Sequence, residues 1–199
     1  MAMTRGHVGG VVLLCLALGA GACASRKEGA DPGAPPRQDT GTPAPRAEET
    51  PAMGTSLECA MSVSQRVTVG QPVELVFRLR NPTAQPLYVL NWHTPLEGLL
   101  SNCLKVTRGG VEIPYQGPMF KRGDPDADSY VTLAPGGSAE EKIEASLAYD
   151  FSQPGTYRIE FQGPLMDVAT QQAEVPRPLA RHSAVPVKCP VVETTIVAP

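Results

Sequence analysis

Cysteine and histidine side chains carry the nucleophilic and metal-binding chemistry that this chain could perform. They are Cys15, Cys23, Cys59, Cys103 and Cys189, together with His7, His93 and His182. The sequence contains no HExxH zinc-peptidase motif and no GxSxG nucleophile motif. The cysteines are also too widely spaced for the short Cys/His intervals of zinc sites. We therefore predict a protein without catalytic residues, without a metal site and without a cofactor.

Cys23 ends a sequence that is typical of a bacterial lipoprotein signal. Arg5 supplies a positive charge, residues 8–22 are uncharged and largely apolar, and small residues lead directly into Cys23. The run is shorter than the ~20 apolar residues that a transmembrane helix needs. We expect residues 1–22 to be removed and Cys23 to be lipidated, which would anchor the protein to a membrane. Ala20 replaces the Leu usual in such signals, so plain secretion is the alternative.

The residues after the lipidation site favour a tethered protein of the cell envelope. Ala24 replaces the Asp that would favour retention at an inner membrane, so in a Gram-negative cell we expect the outer membrane. Residues 24–56 contain no aromatic residue and only one large apolar side chain, Met53. Such a segment buries too little apolar surface to offset its ordering entropy. We predict that residues 23–56 form a disordered tether.

Three cysteines follow this segment, and an odd number leaves one thiol without a disulfide partner. Side chains alternate between the two faces of a strand, so Cys59 shares a face with Met61 in its own strand. In the same way, Cys189 shares a face with Val187 in the last strand. Cys103 stands in the opposite phase of its own segment. We predict a Cys59–Cys189 disulfide with Cys103 free, and the spacing leaves a Cys103–Cys189 pair open as the alternative.

The segments that must position these groups have the period-two pattern of β-strands. Residues 72–80 alternate apolar and polar side chains, and residues 104–115 resemble a hairpin around Gly109-Gly110. Further strand-like segments are residues 86–92, 130–133, 139–148, 155–161 and 185–197. Seven or eight short strands predict an all-β fold, an antiparallel β-sandwich of immunoglobulin-like type, over residues 57–199. Tyr157, in the last but one of these segments, fits the tyrosine corner of such sandwiches.

The charge balance and an incomplete acidic motif disfavour nucleic acid and calcium as ligands. The chain has 17 Lys and Arg residues against 20 Asp and Glu residues, so it lacks the basic balance of a nucleic-acid-binding domain. Residues 124–128 resemble the start of an EF-hand loop, but Ser129 and Pro135 replace its Gly and Glu. We interpret this segment as a solvated acidic loop.

Residues 92–98, with the sequence WHTPLEG, and residues 114–122, with the sequence PYQGPMFKR, are the most distinctive runs of the chain. In order with the strand segments at 104–110, 130–136 and 149–157, they resemble the N-terminal, propeptide-like β-sandwich domain of bacterial deuterolysin-type (peptidyl-Lys) zinc metalloproteases. The resemblance implies a binding surface on these two runs. Its candidate residues are Trp92, His93, Thr94, Pro95, Glu97, Tyr115, Lys121 and Arg122.

In that family the HExxH protease domain follows this module, and no such motif follows within the 199 residues of this sequence. The resemblance therefore implies a non-catalytic module that modulates or chaperones a secreted metalloprotease. The alternative is a structural envelope lipoprotein that binds glycan or another envelope protein. The residues also allow a purely architectural interpretation, in which Trp92 fills the core, His93 caps a loop, and the Pro and Gly residues shape turns.

Overall fold

The computed structural model describes residues 57–199, and the predicted signal, Cys23 and the tether lie outside the described residues. In this part of the chain no helix is long and apolar enough to cross a membrane. Its helical segments are short 3-10 turns, and all its extended regular structure is β. The strands are β1 Glu58–Val63, β2 Arg66–Thr68, β3 Glu74–Arg80, β4 Leu87–Leu90, β5 Leu104–Arg108, β6 Val111–Ile113, β7 Tyr130–Leu133, β8 Ser138–Glu144, β9 Gly155–Phe161, β10 Val168–Ala169 and β11 Val192–Val197.

The strands pair into three sheets with the orders β1-β3-β8, β10-β4-β7 and β2-β11-β9-β5-β6. Every pairing is antiparallel except that of β2 with β11. The buried face of β3 packs against the buried face of β9, where the ring centres of Phe77 and Phe161 lie 5.2 Å apart. The predicted all-β, immunoglobulin-like sandwich is confirmed, with eleven strands in the described residues where the sequence predicted seven or eight.

Alternation in the sequence determines which side chains of β3 enter the core. Leu75, Phe77 and Leu79 are fully buried, while Arg78 and Arg80 between and after them are exposed. Removing an apolar side chain of this size from water contributes about 2 kcal/mol. The half-buried strand predicted from the alternation in residues 72–80 is therefore present as β3.

The prediction of a strand across residues 139–148 is wrong in its second half. Strand β8 ends at Glu144, and Ala145–Leu147 forms a 3-10 turn. The amide of Ala145 donates to Val73 O, and its carbonyl accepts from Tyr149, so the chain turns away from the sheet. Leu147 consequently lies 75% exposed instead of in the core.

The last strand is also shorter than predicted from residues 185–197. Only Val192–Val197 pairs as a strand, and Val185 makes one isolated bridge to Leu165. Pro186 and Pro190 have no amide proton to donate to a neighbouring strand, which prevents a continuous ladder through residues 185–191.

The cysteines form the predicted pair. Cys59 in β1 is bonded to Cys189, with a Cα–Cα distance of 4.8 Å, and Cys103 is free and buried. The disulfide joins the first strand to the extended segment that leads into β11. It thus fastens the segment before β11, which carries no ladder of backbone hydrogen bonds.

Tyr157 forms the predicted tyrosine corner. Its hydroxyl donates a 2.8 Å hydrogen bond to Gln153 O, four residues earlier, and its ring is buried. The bond fixes the Pro-Gly turn that starts β9, where Gly155 has a φ of 141° that side-chain-bearing residues rarely adopt.

Candidate functional site

Trp92 belongs to the core, although the sequence places it in a candidate binding surface. It is 7% exposed and packs in a second apolar cluster with Tyr88, Leu90 and Tyr130. All four residues of β4 are buried, and Trp92, two residues after the end of this strand, is buried with them. One face of its ring nevertheless remains accessible to a side chain from another loop.

Thr94 and Pro95 build the turn that follows Trp92, and both are buried. Thr94 caps the 3-10 turn Pro95–Glu97: its hydroxyl accepts from the amide of Leu96 at 3.1 Å and donates to Asn91 O at 2.6 Å. Gly98 ends the turn with a φ of 82°. For these two candidate residues the architectural interpretation fits the structure.

His93 is exposed and has a φ of 57°, a left-handed conformation that is costly for a residue other than glycine. Its amide donates a 2.8 Å hydrogen bond to Oε1 of Glu97, which holds the residue in this conformation. His93 is the one non-glycine residue with positive φ in the described part of the chain.

Arg122 joins the two runs that the sequence singled out. Its guanidinium forms an ion pair with Oε2 of Glu97, whose side chain is only 5% exposed. The same guanidinium lies 4.9 Å from the centre of the Trp92 ring and 5.7 Å from that of Phe120. Glu97 therefore holds the backbone of His93 with one oxygen and Arg122 with the other.

Tyr115 makes the second link between the runs. Its hydroxyl lies 2.8 Å from Leu99 O and 2.7 Å from Pro118 O, so its single proton is shared by carbonyls of both loops. Its ring contacts Tyr149 edge-on, and burial raises the pKa of Tyr115. The hairpin strand β6 ends before it, at Ile113, so Tyr115 anchors a loop instead of closing a strand pair.

The loop 115–122, held at its two ends by Tyr115 and Arg122, carries an exposed apolar tip. Met119 is 78% and Phe120 56% exposed, and Lys121 beside them is exposed too. Below the tip, Leu99, Leu100, Pro118 and Leu147 line a groove of about 360 Å³. The sequence analysis placed the run that contains Met119 and Phe120 in the binding surface but named only Tyr115, Lys121 and Arg122 as its candidate residues. It missed Leu147, which the alternating pattern had assigned to the core.

A separate cleft of about 420 Å³ brings together groups that lie far apart in the sequence. It is lined by His93, Asn102, Cys103, Gln162, Pro164, Met166, His182 and Ala184. Both histidines of residues 57–199 and their free cysteine are thus at one place. Burial raises the pKa of the Cys103 thiol to about 12, which keeps it protonated at neutral pH. Within residues 57–199 no three His, Cys, Asp or Glu side chains stand close enough to share a metal ion.

The acidic loop at residues 124–128 binds its own backbone. Asp126 accepts hydrogen bonds from the amide and hydroxyl of Ser129, which lower the pKa of Asp126. Asp124 accepts from the amide of Leu179 at 2.9 Å. One carboxylate oxygen of Asp124 and one of Asp126 are thus used to hold the loop's own backbone and the turn at Leu179.

Comparison with known proteins does not assign this chain to a family. No protein-family model matches the chain, and no curated protein matches it. A crystal structure of the CARDB domain of the PF1109 protein from Pyrococcus furiosus, in complex with di-metal ions, is 13% identical over 73% of this chain and 96% of that one, with a TM-score of 0.32. The PapD-like domain 7 of human CEP192 is 11% identical over 82% of this chain and 96% of that one, with a TM-score of 0.23.

A third match is the alkylpurine DNA glycosylase AlkC of Pseudomonas fluorescens, bound to DNA containing an abasic site analog. It is 12% identical over 72% of this chain and 31% of that one, with a TM-score of 0.29. Similarities of this size transfer no function. None of these three structures is a deuterolysin-type propeptide, so that resemblance rests on the sequence runs alone.

Proposed function

We propose that residues 57–199 are a non-catalytic protein-binding module, and that the exposed tip of the loop 115–122 is its contact surface. The observation that carries the proposal is the double anchoring of Arg122 on Glu97 and Trp92. It attaches the loop 115–122 to the turn at Glu97, with Met119 and Phe120 exposed to solvent.

The chemistry of the tip favours a protein partner. Exposed apolar patches mark interaction sites, and Met, Phe and Arg are enriched in the centres of protein interfaces. A loop held in its binding conformation loses little entropy on association, which favours affinity. The groove below the tip offers a neighbouring apolar surface for the partner's side chains.

For the partner we propose a secreted metalloprotease, which the module modulates or chaperones, on the strength of the resemblance of residues 92–98 and 114–122. We further propose that the protein acts outside the cytoplasm, anchored at the outer membrane through Cys23. A structural role in binding another envelope protein is the second candidate and would use the same surface. Glycan binding is less favoured because it would use a row of exposed aromatic rings. In the described structure Phe120 is exposed, but Trp92 and Tyr149 are buried.

The test is a pull-down from envelope extract with the full chain as bait, repeated with Phe120→Ala and Met119→Ala. The matched control is Val111→Ala, an equally exposed apolar residue on the edge strand β6. We expect a zinc metalloprotease to be captured by the parent chain and the control, and to be lost from both tip variants. Equal capture by all four chains would overturn the assignment of the surface. Capture of an envelope protein without a protease would support the second candidate.

A further inference from the structure

The backbone at the tip of the loop 115–122 is straight and has no hydrogen-bond partner within the domain. Residues 118–123 contain no helix, strand, turn or bend. The amides and carbonyls of Met119, Phe120 and Lys121 make no hydrogen bond to any other group of residues 57–199. Because main-chain donors and acceptors are strong hydrogen-bonding groups, these are free to pair with the main chain of a partner.

Contacts on both sides hold this straight segment in place. On its N-terminal side, the hydroxyl of Tyr115 lies 2.7 Å from Pro118 O. Gly117 makes this close approach possible, since a Cβ at that position would lie 2.5 Å from the same hydroxyl oxygen. On the C-terminal side, Arg122 is paired with the largely buried carboxylate of Glu97. The three residues between positions 118 and 122 are therefore exposed between two fixed points.

The side chains of these three residues are available to a partner as well. Met119 is 78% and Phe120 56% exposed. Lys121 is exposed and takes part in none of the ion pairs of residues 57–199. Strand addition recognises such a segment: main-chain hydrogen bonds give affinity, and pockets for the side chains give specificity. The substrate clefts of endopeptidases bind peptides in this extended form.

Side-chain exposure alone does not produce this combination. Leu147 is 75% exposed, more than Phe120, but it lies in the 3-10 turn Ala145–Leu147. The amide of Ala148 donates to Ala145 O at 3.1 Å across that turn. A turned backbone whose groups are already paired does not fit a cleft that adds a strand. Leu147 therefore serves as an internal comparison for Phe120.

We propose that residues 118–123 are a substrate-like segment that occupies the active-site cleft of an endopeptidase whose specificity pocket accepts an aromatic side chain. The Phe120–Lys121 peptide bond then lies at the reacting centre. This inference rests on the proposed binding surface and specifies which part of the partner that surface contacts.

The two anchors make this segment a slow substrate and so an inhibitor. Hydrolysis of the bond consumes one water, breaks the C–N bond, and leaves a carboxylate on Phe120 and an amine on Lys121. Tyr115 and Arg122 hold the two new ends close together. Since proximity of this kind favours reaction between the held groups, the bond re-forms with release of the water, and the segment stays in the cleft.

The test incubates the folded full chain with chymotrypsin, whose pocket accepts aromatic and large aliphatic side chains, and identifies the products by mass spectrometry. Within residues 57–199 we expect the first cut after Phe120 and not after Leu147. We also expect the parent chain to inhibit competitively the hydrolysis of a chromogenic peptide by the same enzyme.

Two variants remove one anchor each without altering residues 118–123. Tyr115→Phe and Glu97→Ala should each speed the cut after Phe120 by about tenfold, which corresponds to the loss of one such contact. Glu74→Ala, which removes the partner of the exposed Lys142, is the matched control and should leave the rate of this cut unchanged.

Thermal melting verifies that each variant folds, and Tyr115→Phe decides the question if Glu97→Ala does not fold. Cuts in residues 1–56 are common to all chains, so the differences between chains isolate the loop. A first cut elsewhere in residues 57–199, a parent chain that does not inhibit, or equal rates in the parent and the anchor variants would overturn the proposal. The binding surface itself fails on a different result, equal capture by the parent and the tip variants in the pull-down.

Discussion

The guanidinium of Arg122 lies 4.9 Å from the centre of the Trp92 ring and forms an ion pair with Glu97. Two loops that are distant in sequence are thereby joined by one side chain. Both partners of the ion pair are largely shielded from water, at 24% and 5% exposure, so it is screened less than a surface pair.

We expect Arg122→Ala and Glu97→Ala to be energetically coupled. Each should destabilise the domain by about 1 to 3 kcal/mol, since each leaves a shielded charge without its partner. In a double-mutant cycle measured by urea unfolding, the coupling free energy should be about 1 to 2 kcal/mol. The control pairs Arg122→Ala with Lys142→Ala, an exposed residue paired to Glu74. Strict additivity of Arg122→Ala and Glu97→Ala would show that the ion pair does not join the loops.

Reduction of Cys59–Cys189 should destabilise the domain by about 4 kcal/mol. The disulfide spans 130 residues, and a cross-link over a loop of that length strongly restricts the unfolded chain. The measurement compares urea midpoints of the full chain with and without a reductant. Cys103→Ala should retain the reductant effect, and Cys59→Ala should lose it. An identical midpoint for oxidised and reduced parent chains would contradict the role assigned to the disulfide.

Asp167→Asn should destabilise the fold by about 3 kcal/mol. The variant keeps the shape of the side chain but removes the buried charge that faces Arg177. Glu58→Gln, in the exposed pair with Arg80, is the matched control and should cost less than about 1 kcal/mol. Unfolding in urea measures both. Equal costs for the two variants would mean that burial of the Asp167 pair contributes nothing beyond a surface contact.

The Cys103 thiol should resist alkylation at neutral pH. Burial raises its pKa from 9.0 to about 12, so the reactive thiolate is far scarcer in the folded than in the unfolded chain. The folded state favours the protonated thiol; this contribution to stability is complete below pH 9 and is lost as the pH rises towards 12. Iodoacetamide labelling of the Cys103 peptide, followed by mass spectrometry, should be at least about a hundredfold slower in buffer than in urea at pH 8. Comparable rates in the two conditions would show that the thiol is accessible.

Local sequence patterns predicted most of the strands and favoured the disulfide that the structure contains. The alternation in residues 72–80 predicts the buried face of β3, because side chains alternate across any strand. The phase of Cys59 and Cys189 favoured the pair that the structure contains. Tyr157 was recognised because the tyrosine corner depends on a short-range contact, to Gln153 four residues away.

The fold class and the two loops that meet at Arg122 could be predicted from the residues alone, and the phase of the cysteines favoured one pairing without excluding the other. The folded structure was needed to show where β8 ends, that Leu147 and Phe120 face solvent, and that Arg122 reaches Glu97. It alone brought His93, Met166 and His182 to one cleft. The physical reason is that periodicity reports the neighbours along a strand, whereas these contacts join loops whose separation in space is set by the packing of the sheets.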